Sequence, residues 1–372
     1  MPKFEVPILP IDKVENHPEA DRLSLNHIRG YVLVSNKLED GSHRYSPGQL
    51  MAYVPENSVV PVAVLQRFGY WDNEKNKGLL GGPAGDIVQP FVLRRVTSHG
   101  VILPTESIIC SPGSYMTNGH GDKRLVHAGH DVSSFLGITK HEYPLLPSYS
   151  ASQLIPRIDY EVEDLRKYPD LLKGRKVVVT EMLHGVLCII GFDRTLDDPF
   201  FVASATSAPK ALVVDKAHSN IYTQTAEPIW EEIKRYLVEM PAVEKFYLFG
   251  VIIGPGIQDL TYGLQSTEFR AIDVQMGVMG GGPDSIPFGF IGTRKYELFK
   301  WLNIATVPIV MAGDYDYDAI YQLANAPSTI GGGQRRGVVI TAEDEGLVNG
   351  MRPILRLLSD KFLIRKKGTN FK

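Results

Sequence analysis

Two short apolar runs with a polar break between them constrain this chain more than any other stretch. They are Val177-Val178-Val179 and Val186-Leu187-Cys188-Ile189-Ile190, and between them lie Thr180-Glu181-Met182-Leu183-His184-Gly185. Runs this short and this rich in β-branched residues predict two buried strands joined by a tight connection. Gly185 marks the place where the backbone turns or comes close to a bound group.

The rest of the chain must bury those strands. At 372 residues it is long enough for two domains with cores of their own. Cys110 and Cys188 are its only cysteines, too few for a disulfide framework or a thiolate metal site, and Cys188 reads as a small core residue. No apolar stretch reaches the roughly 20 residues that span a bilayer, and Met1-Pro2-Lys3-Phe4-Glu5-Val6 lacks a signal-peptide layout. The expectation is an intracellular protein with no membrane partner. A net charge of −3 gives no global pull toward nucleic acid, so an RNA contact needs a local basic face.

Residues 1–104 read as short strands separated by turns, with runs at Val6–Leu9, His27–Ser35, Leu50–Val54 and Phe91–Val96. Strands at this spacing predict a small barrel of the OB type. Arg94 and Arg95, read as strand residues, are the candidates for a phosphate-contacting face. Residues 105–156 read as a loop-rich connection: Ser111–His130 as an exposed loop, Val132–Gly137 as a helical turn, and Pro144 to Pro156 as a linker. His120, His127, His130 and His141 lie there without acidic partners at ligand spacing, so no metal site is read from them. Residues 157–372 form the second expected domain. It opens on a helix over Asp159–Leu172 and has strands at Phe200–Ser204, Ala211–Val214, Phe246–Ile253, Arg270–Gln275 and Gly337–Thr341. Helices are expected at Glu297–Leu302 and Tyr317–Asn325. Another spans Ala226–Met240, where Ile229, Trp230, Ile233, Leu237 and Met240 recur at helical spacing. The expected class is α+β, an OB-like barrel followed by a domain of mixed antiparallel sheets and helices.

Specific stretches carry a resemblance. Thr180-Glu181-Met182-Leu183-His184-Gly185 resembles the Lys-x-x-Gly nucleotidyl-transfer motif of ATP-dependent RNA ligases with an N-terminal OB domain. His17-Pro18-Glu19-Ala20-Asp21-Arg22-Leu23 resembles a signature of that domain, shared with a tRNA-binding module, while His17 and Asp21 also read as plain turn chemistry. Ser46–Leu50, Tyr53–Pro61 and Leu93–Pro104 extend the ligase match. The resemblance implies a nucleotidyltransferase domain over 157–372, with ATP and magnesium as cofactors and RNA as partner. It also implies a place for each reacting group, and several are changed. The nucleophilic lysine is Met182, whose thioether has no nitrogen to attack a phosphate. The ribose-binding glutamate of Gly-Glu-x-x-Gly is Val251, and the metal-binding glutamate before Gly337 is Arg336. A basic residue is Ala205, although Lys210 follows, and the closing lysine is Arg356. Glu345-Gly346-Leu347-Val348 offers a competing alignment for the metal motif. Phe269, a stacking aromatic, and Asp273 are retained in Phe269-Arg270-Ala271-Ile272-Asp273-Val274, which also reads as an ordinary buried strand.

Nucleophile, ribose carboxylate and metal carboxylate are separate parts of one mechanism, and all three positions differ. The expectation is a ligase-like scaffold that does not self-adenylylate and is kept for binding RNA or protein assembly partners. No cofactor or metal is assigned to it from the residues themselves. The alternatives are an RNA ligase, natural or inactivated by substitution, that joins 3′-hydroxyl and 5′-phosphate ends, and a pocket rebuilt for another small molecule. For the last, His184, Lys210, Asp273, Arg336 and Arg356 are the residues of interest, beside Glu181, Gly185, Val251 and Phe269 in the nucleotide pocket.

Overall fold

In the computed structural model the two central runs are strands, Lys176–Met182 and Val186–Asp193, and they belong to different sheets. Residues 4–108, 113–141, 162–204, 212–214, 216, 219–278, 286–344, 346, 348 and 352–365 are described. The chain is α+β and rich in sheet. It divides into two units, Met1–Tyr143 with Leu165–Pro169, and Pro144–Asp164 with Asp170–Lys372.

The second unit is built on two sheets. One runs in the order Glu163–Asp164, Ile354–Leu358, Gly337–Ala342, Lys176–Met182, Ile309–Asp314. The other runs Leu212–Val213, Phe200–Ser204, Val186–Asp193, Val243–Ile253, Glu268–Val278, Ile286–Phe290. Pairing is antiparallel except between Glu163–Asp164 and Ile354–Leu358. In the six-stranded sheet, Val186–Asp193 and Val243–Ile253 are central and covered on both faces, which is why their sequences are continuous apolar runs. Cys188, Ile190, Phe192, Phe246 and Leu248 pack on one face against Ala226, Ile229, Trp230 and Ile233 of a long helix. Ile189, Tyr247 and Phe249 fill the other face, and Val251 and Ile253 meet Leu183, Tyr262 and Val307.

That helix spans Ile221–Glu239 and starts five residues before the expected start at Ala226. Its start is set by Asn220, whose side chain accepts from the Tyr222 and Thr223 amides while Thr223 Oγ1 accepts from the Asn220 amide. Such a reciprocal cap satisfies amides that the first turn leaves open. Pro228, which cannot donate to the carbonyl one turn back, is carried by the packing of Ala226, Ile229, Trp230 and Ile233 against the sheet.

Four sequence expectations are corrected in the first unit and the stretch that leaves it, two of them by turns. His27–Ser35 is parts of two strands, Ala20–Ile28 and Tyr31–Asn36, joined at Arg29-Gly30. Arg29 takes φ +54°, and its amide donates to Asp12 Oδ2 at 2.5 Å. Phe91–Val96 is a hairpin of Phe91–Leu93 with Val96–Ser98, so Arg94 and Arg95 are turn residues rather than strand residues. The Ser111–His130 loop holds the paired strands Ser114–Thr117 and Lys123–Val126, which bury Met116 and Val126 completely. Of the helix expected at Asp159–Leu172, the described part is the strand Glu163–Asp164 and a single 3₁₀ turn, Leu165–Lys167. The linker stretch Pro144–Pro156 lies outside the described residues. Strand pairing here forms separate sheets, including Ile8–Pro10 with Leu50–Val54 and Val101–Pro104, and Lys13–His17 with Ala20–Ile28 and Tyr31–Asn36. Among the described residues these do not close into a barrel. No described helix is long and apolar enough to cross a membrane.

Candidate functional site

Leu183-His184-Gly185 carries the chain from one sheet to the other, and the sheets enclose a cavity of about 260 Å³ where it crosses. Thr180, Glu181, Met182, Arg336, Val339 and Arg356 enter from the five-stranded sheet and its edge, and Leu187, Val251 and Ile272 from the six-stranded one. Gly185 is obligatory at the crossing: a Cβ there would lie 2.1 Å from the Ile252 carbonyl oxygen and 2.7 Å from Val251 Cγ2. The close approach predicted for this glycine is therefore to the neighbouring strand.

Met182, Val251, Arg336 and Arg356, far apart in sequence, line this one space. Met182 ends its strand opposite Gly337, which places Arg336 beside it; Arg336 Nη1 donates to the Leu183 carbonyl at 3.2 Å. Its guanidinium sits over the Phe362 ring at 5.6 Å. Burial first, then the neighbouring Arg356, pull Arg336 down to a pKa of about 10. Arg356 stands opposite Val339 on Ile354–Leu358.

Glu181 reaches the cavity wall, but its carboxylate is committed to the protein. Ser328 Oγ donates to Oε1 at 2.5 Å, and the Thr329 amide and Oγ1 donate to Oε2 at 2.9 and 2.7 Å. Arg335 Nε lies 3.3 Å from Oε2. Nothing in the apolar-run pattern announced Ser328 and Thr329, which come from a loop.

His184 lies behind the cavity. Its amide donates to Tyr262 Oη at 2.5 Å, and its Nε2 is 2.6 Å from Asp259 Oδ1, which requires the ring proton on Nε2. Burial, then Arg336, hold its pKa near 4 against the opposing pull of Asp259, so the ring is neutral at pH 7. Arg365 Nε closes the cluster on Asp259 Oδ2 at 3.0 Å. Asp259 and Tyr262 follow the strand that ends at Ile253, and no apolar run or periodicity in the sequence announced them.

Two residues expected in the pocket are elsewhere. Phe269 packs with the helix-side core, its ring lying where a Gly250 side chain would be, with Cζ 2.0 Å from the position of a Cβ there. Asp273 is fully buried and holds Arg352 Nη1 at 2.6 Å and Lys295 Nζ at 3.4 Å. Ile272 lies at the register shift between Phe249 and Gly250 and lines the cavity, while Asp273, paired opposite Phe249, is taken up by its two cations. Lys210 and Ala205 lie outside the described residues. In the first unit Arg94 and Arg95 have φ +44° and +67°, and Arg95 pairs with Glu19 at 3.1 Å. His17, buried in the same corner, approaches the Leu93 carbonyl through Nε2 at 3.1 Å.

A divalent ion does not fit this cavity. It presents two guanidiniums, and its one wall carboxylate already has three donors and Arg335. Among the described residues no three His, Cys, Asp or Glu side chains come together as a metal site would need.

No protein-family model and no curated protein matches the chain. Solved structures do, and the fold they define is that of an RNA ligase. The similar structures are of the RNA ligase of Naegleria gruberi. A lysine-to-methionine mutant with AMP and manganese matches at TM-score 0.67 and 20% identity over 96% of this chain and 97% of that one. A lysine-to-alanine mutant with ATP and manganese gives the same values. The form with pyrophosphate matches at TM-score 0.66 and 19% identity over 97% and 98%.

Proposed function

We propose that this is an RNA-ligase-like protein that does not adenylylate itself and acts as a binding or assembly component. The observation that carries the reading is the grouping of Met182, Val251 and Arg336 around one cavity. Three positions that would supply nucleophile, ribose carboxylate and metal carboxylate supply a thioether, a hydrocarbon and a cation. The cavity itself persists, and it is the place for a nucleoside phosphate on the analogy of the Naegleria gruberi structures with AMP and ATP. The first unit is read as an OB-like module, by its short strands and the His17–Leu23 segment, and RNA as its partner, through Arg94 at an exposed hairpin tip.

The test is incubation with α-labelled ATP and magnesium or manganese, followed by denaturing electrophoresis. The expected result is no labelled protein. Met182→Lys alone should restore almost none, because Val251 and Arg336 still stand where carboxylates are needed. A robust adduct on the parent overturns the reading and leaves an RNA ligase, while one on Met182→Lys alone overturns the roles given to Val251 and Arg336 and leaves a ligase inactivated by one substitution.

A further inference from the structure

Resting on the reading of this cavity as a nucleoside-phosphate site, its charge carries one step more. Arg336 and Arg356 line the same space, and the charge of Arg356 is among those that press on Arg336. Arg356 Nε is buried and meets no hydrogen-bond acceptor among the described residues. The wall offers one carboxylate, and Glu181 is spent on Ser328, Thr329 and Arg335. A half-buried cation whose buried Nε–H has no acceptor becomes more favourable once an anion shares the site.

We propose that the cavity is an arginine-cradled anion site that binds a nucleoside phosphate without a divalent ion. Arg336 and Arg356 neutralise the phosphate oxygens, and Met182, Leu187, Val251 and Ile272 receive the apolar body of the ligand. A magnesium ion riding on the phosphates would bring a third cation against two fixed guanidiniums, so it opposes binding here.

The experiment is calorimetric titration of the full chain with ATP in EDTA and again in excess magnesium, with inorganic pyrophosphate as a second probe. Binding is expected in EDTA and should weaken in magnesium. Pyrophosphate should bind less tightly, because it lacks the body that fills the apolar walls. Arg356→Met keeps the stem and removes the charge, and should lower ATP affinity roughly tenfold or more. A purely structural arginine would leave the ligand-free protein less stable when replaced. Here the melting temperature of ligand-free Arg356→Met should equal or exceed that of the parent, while its ATP-induced rise is lost. Arg336→Lys, which retains charge, guards against loss of the Leu183 contact and should bind ATP better than Arg336→Gln. ATP binding that requires magnesium, pyrophosphate binding as tight as ATP, or no ATP binding in EDTA each overturns the cradle. None of these outcomes produces a covalent adduct, so the cradle can fail while the loss of adenylylation stands, and the reverse.

Discussion

His184 shows how a single buried ring writes itself into the stability of the chain. Its folded pKa is near 4 against an unfolded value of 6.5, so the native state resists a proton that the unfolded chain accepts. Above pH 6.5 both states are neutral and nothing is lost. As pH falls from 6.5 toward 4 the unfolded state binds the proton first, and up to about 3 kcal/mol of stability drains away before the loss levels off. Urea midpoints at pH 7 and pH 4.5 check this against His184→Gln, which cannot titrate. The gap between parent and variant should narrow on acidification by about 2–3 kcal/mol, and a constant gap would mean the ring is not buried neutral. Residue by residue, motif spacing named Met182, Gly185, Val251, Arg336 and Arg356, and the fold brings these five around one cavity. That spacing could not see Arg352 and Lys295, which take up the Asp273 carboxylate, nor the glycine that makes room for Phe269 on the opposite side.

Among the elements, the hairpin Phe91–Ser98 is the one whose geometry works against its sequence. Two-residue hairpin turns with positive φ at both central positions favour Asn-Gly, and this one uses Arg94-Arg95. Holding both in that region costs about 1–3 kcal/mol each. The flanking Phe91, Val92 and Leu93 are also exposed, which leaves an apolar strip ending in two cations. Replacing Arg94 by Asn and Arg95 by Gly should raise stability in denaturant by about 1 kcal/mol or more. The same variant should weaken RNA binding about equally for all sequences and flatten its salt dependence by roughly 0.7–0.9 per lost phosphate contact. A gain in stability with unchanged RNA affinity would retire this turn as a nucleic-acid face. Boundaries were legible where packing and periodicity agree, as in Leu50–Val54 and Tyr317–Asn325. They were not where a cap or a turn decides, as at Asn220 and at Arg29-Gly30.

Across the whole molecule, the loop-rich connection read over residues 105–156 is the stretch where composition and structure diverge most. Ladder pairing overrides composition in part of it, because Met116 and Val126 are anchored in the core of the first unit. Lys123 and Arg124 lie on a paired strand with exposed side chains, attractive to trypsin by sequence and protected by backbone. Brief digestion followed by mass spectrometry should show cuts elsewhere first. Early cleavage after Lys123 or Arg124 would contradict the pairing. The two-sheet plan of the second unit was only half legible. Two strands with a tight connection could be read from Val177–Ile190, but their membership of separate sheets depends on partners more than 50 residues away.

That crossing bears on how such a protein can change. The cavity is no appendage built for a reaction. It is the seam left where one continuous stretch stitches two sheets together, held by a glycine against a backbone and by a tyrosine hydroxyl under the His184 amide. Most of what holds the seam is backbone and core packing, so exchanging the side chains that line it leaves the hollow in place. A lineage can therefore drop its chemistry without losing the hollow, and what next occupies that hollow is decided by the few side chains that point inward.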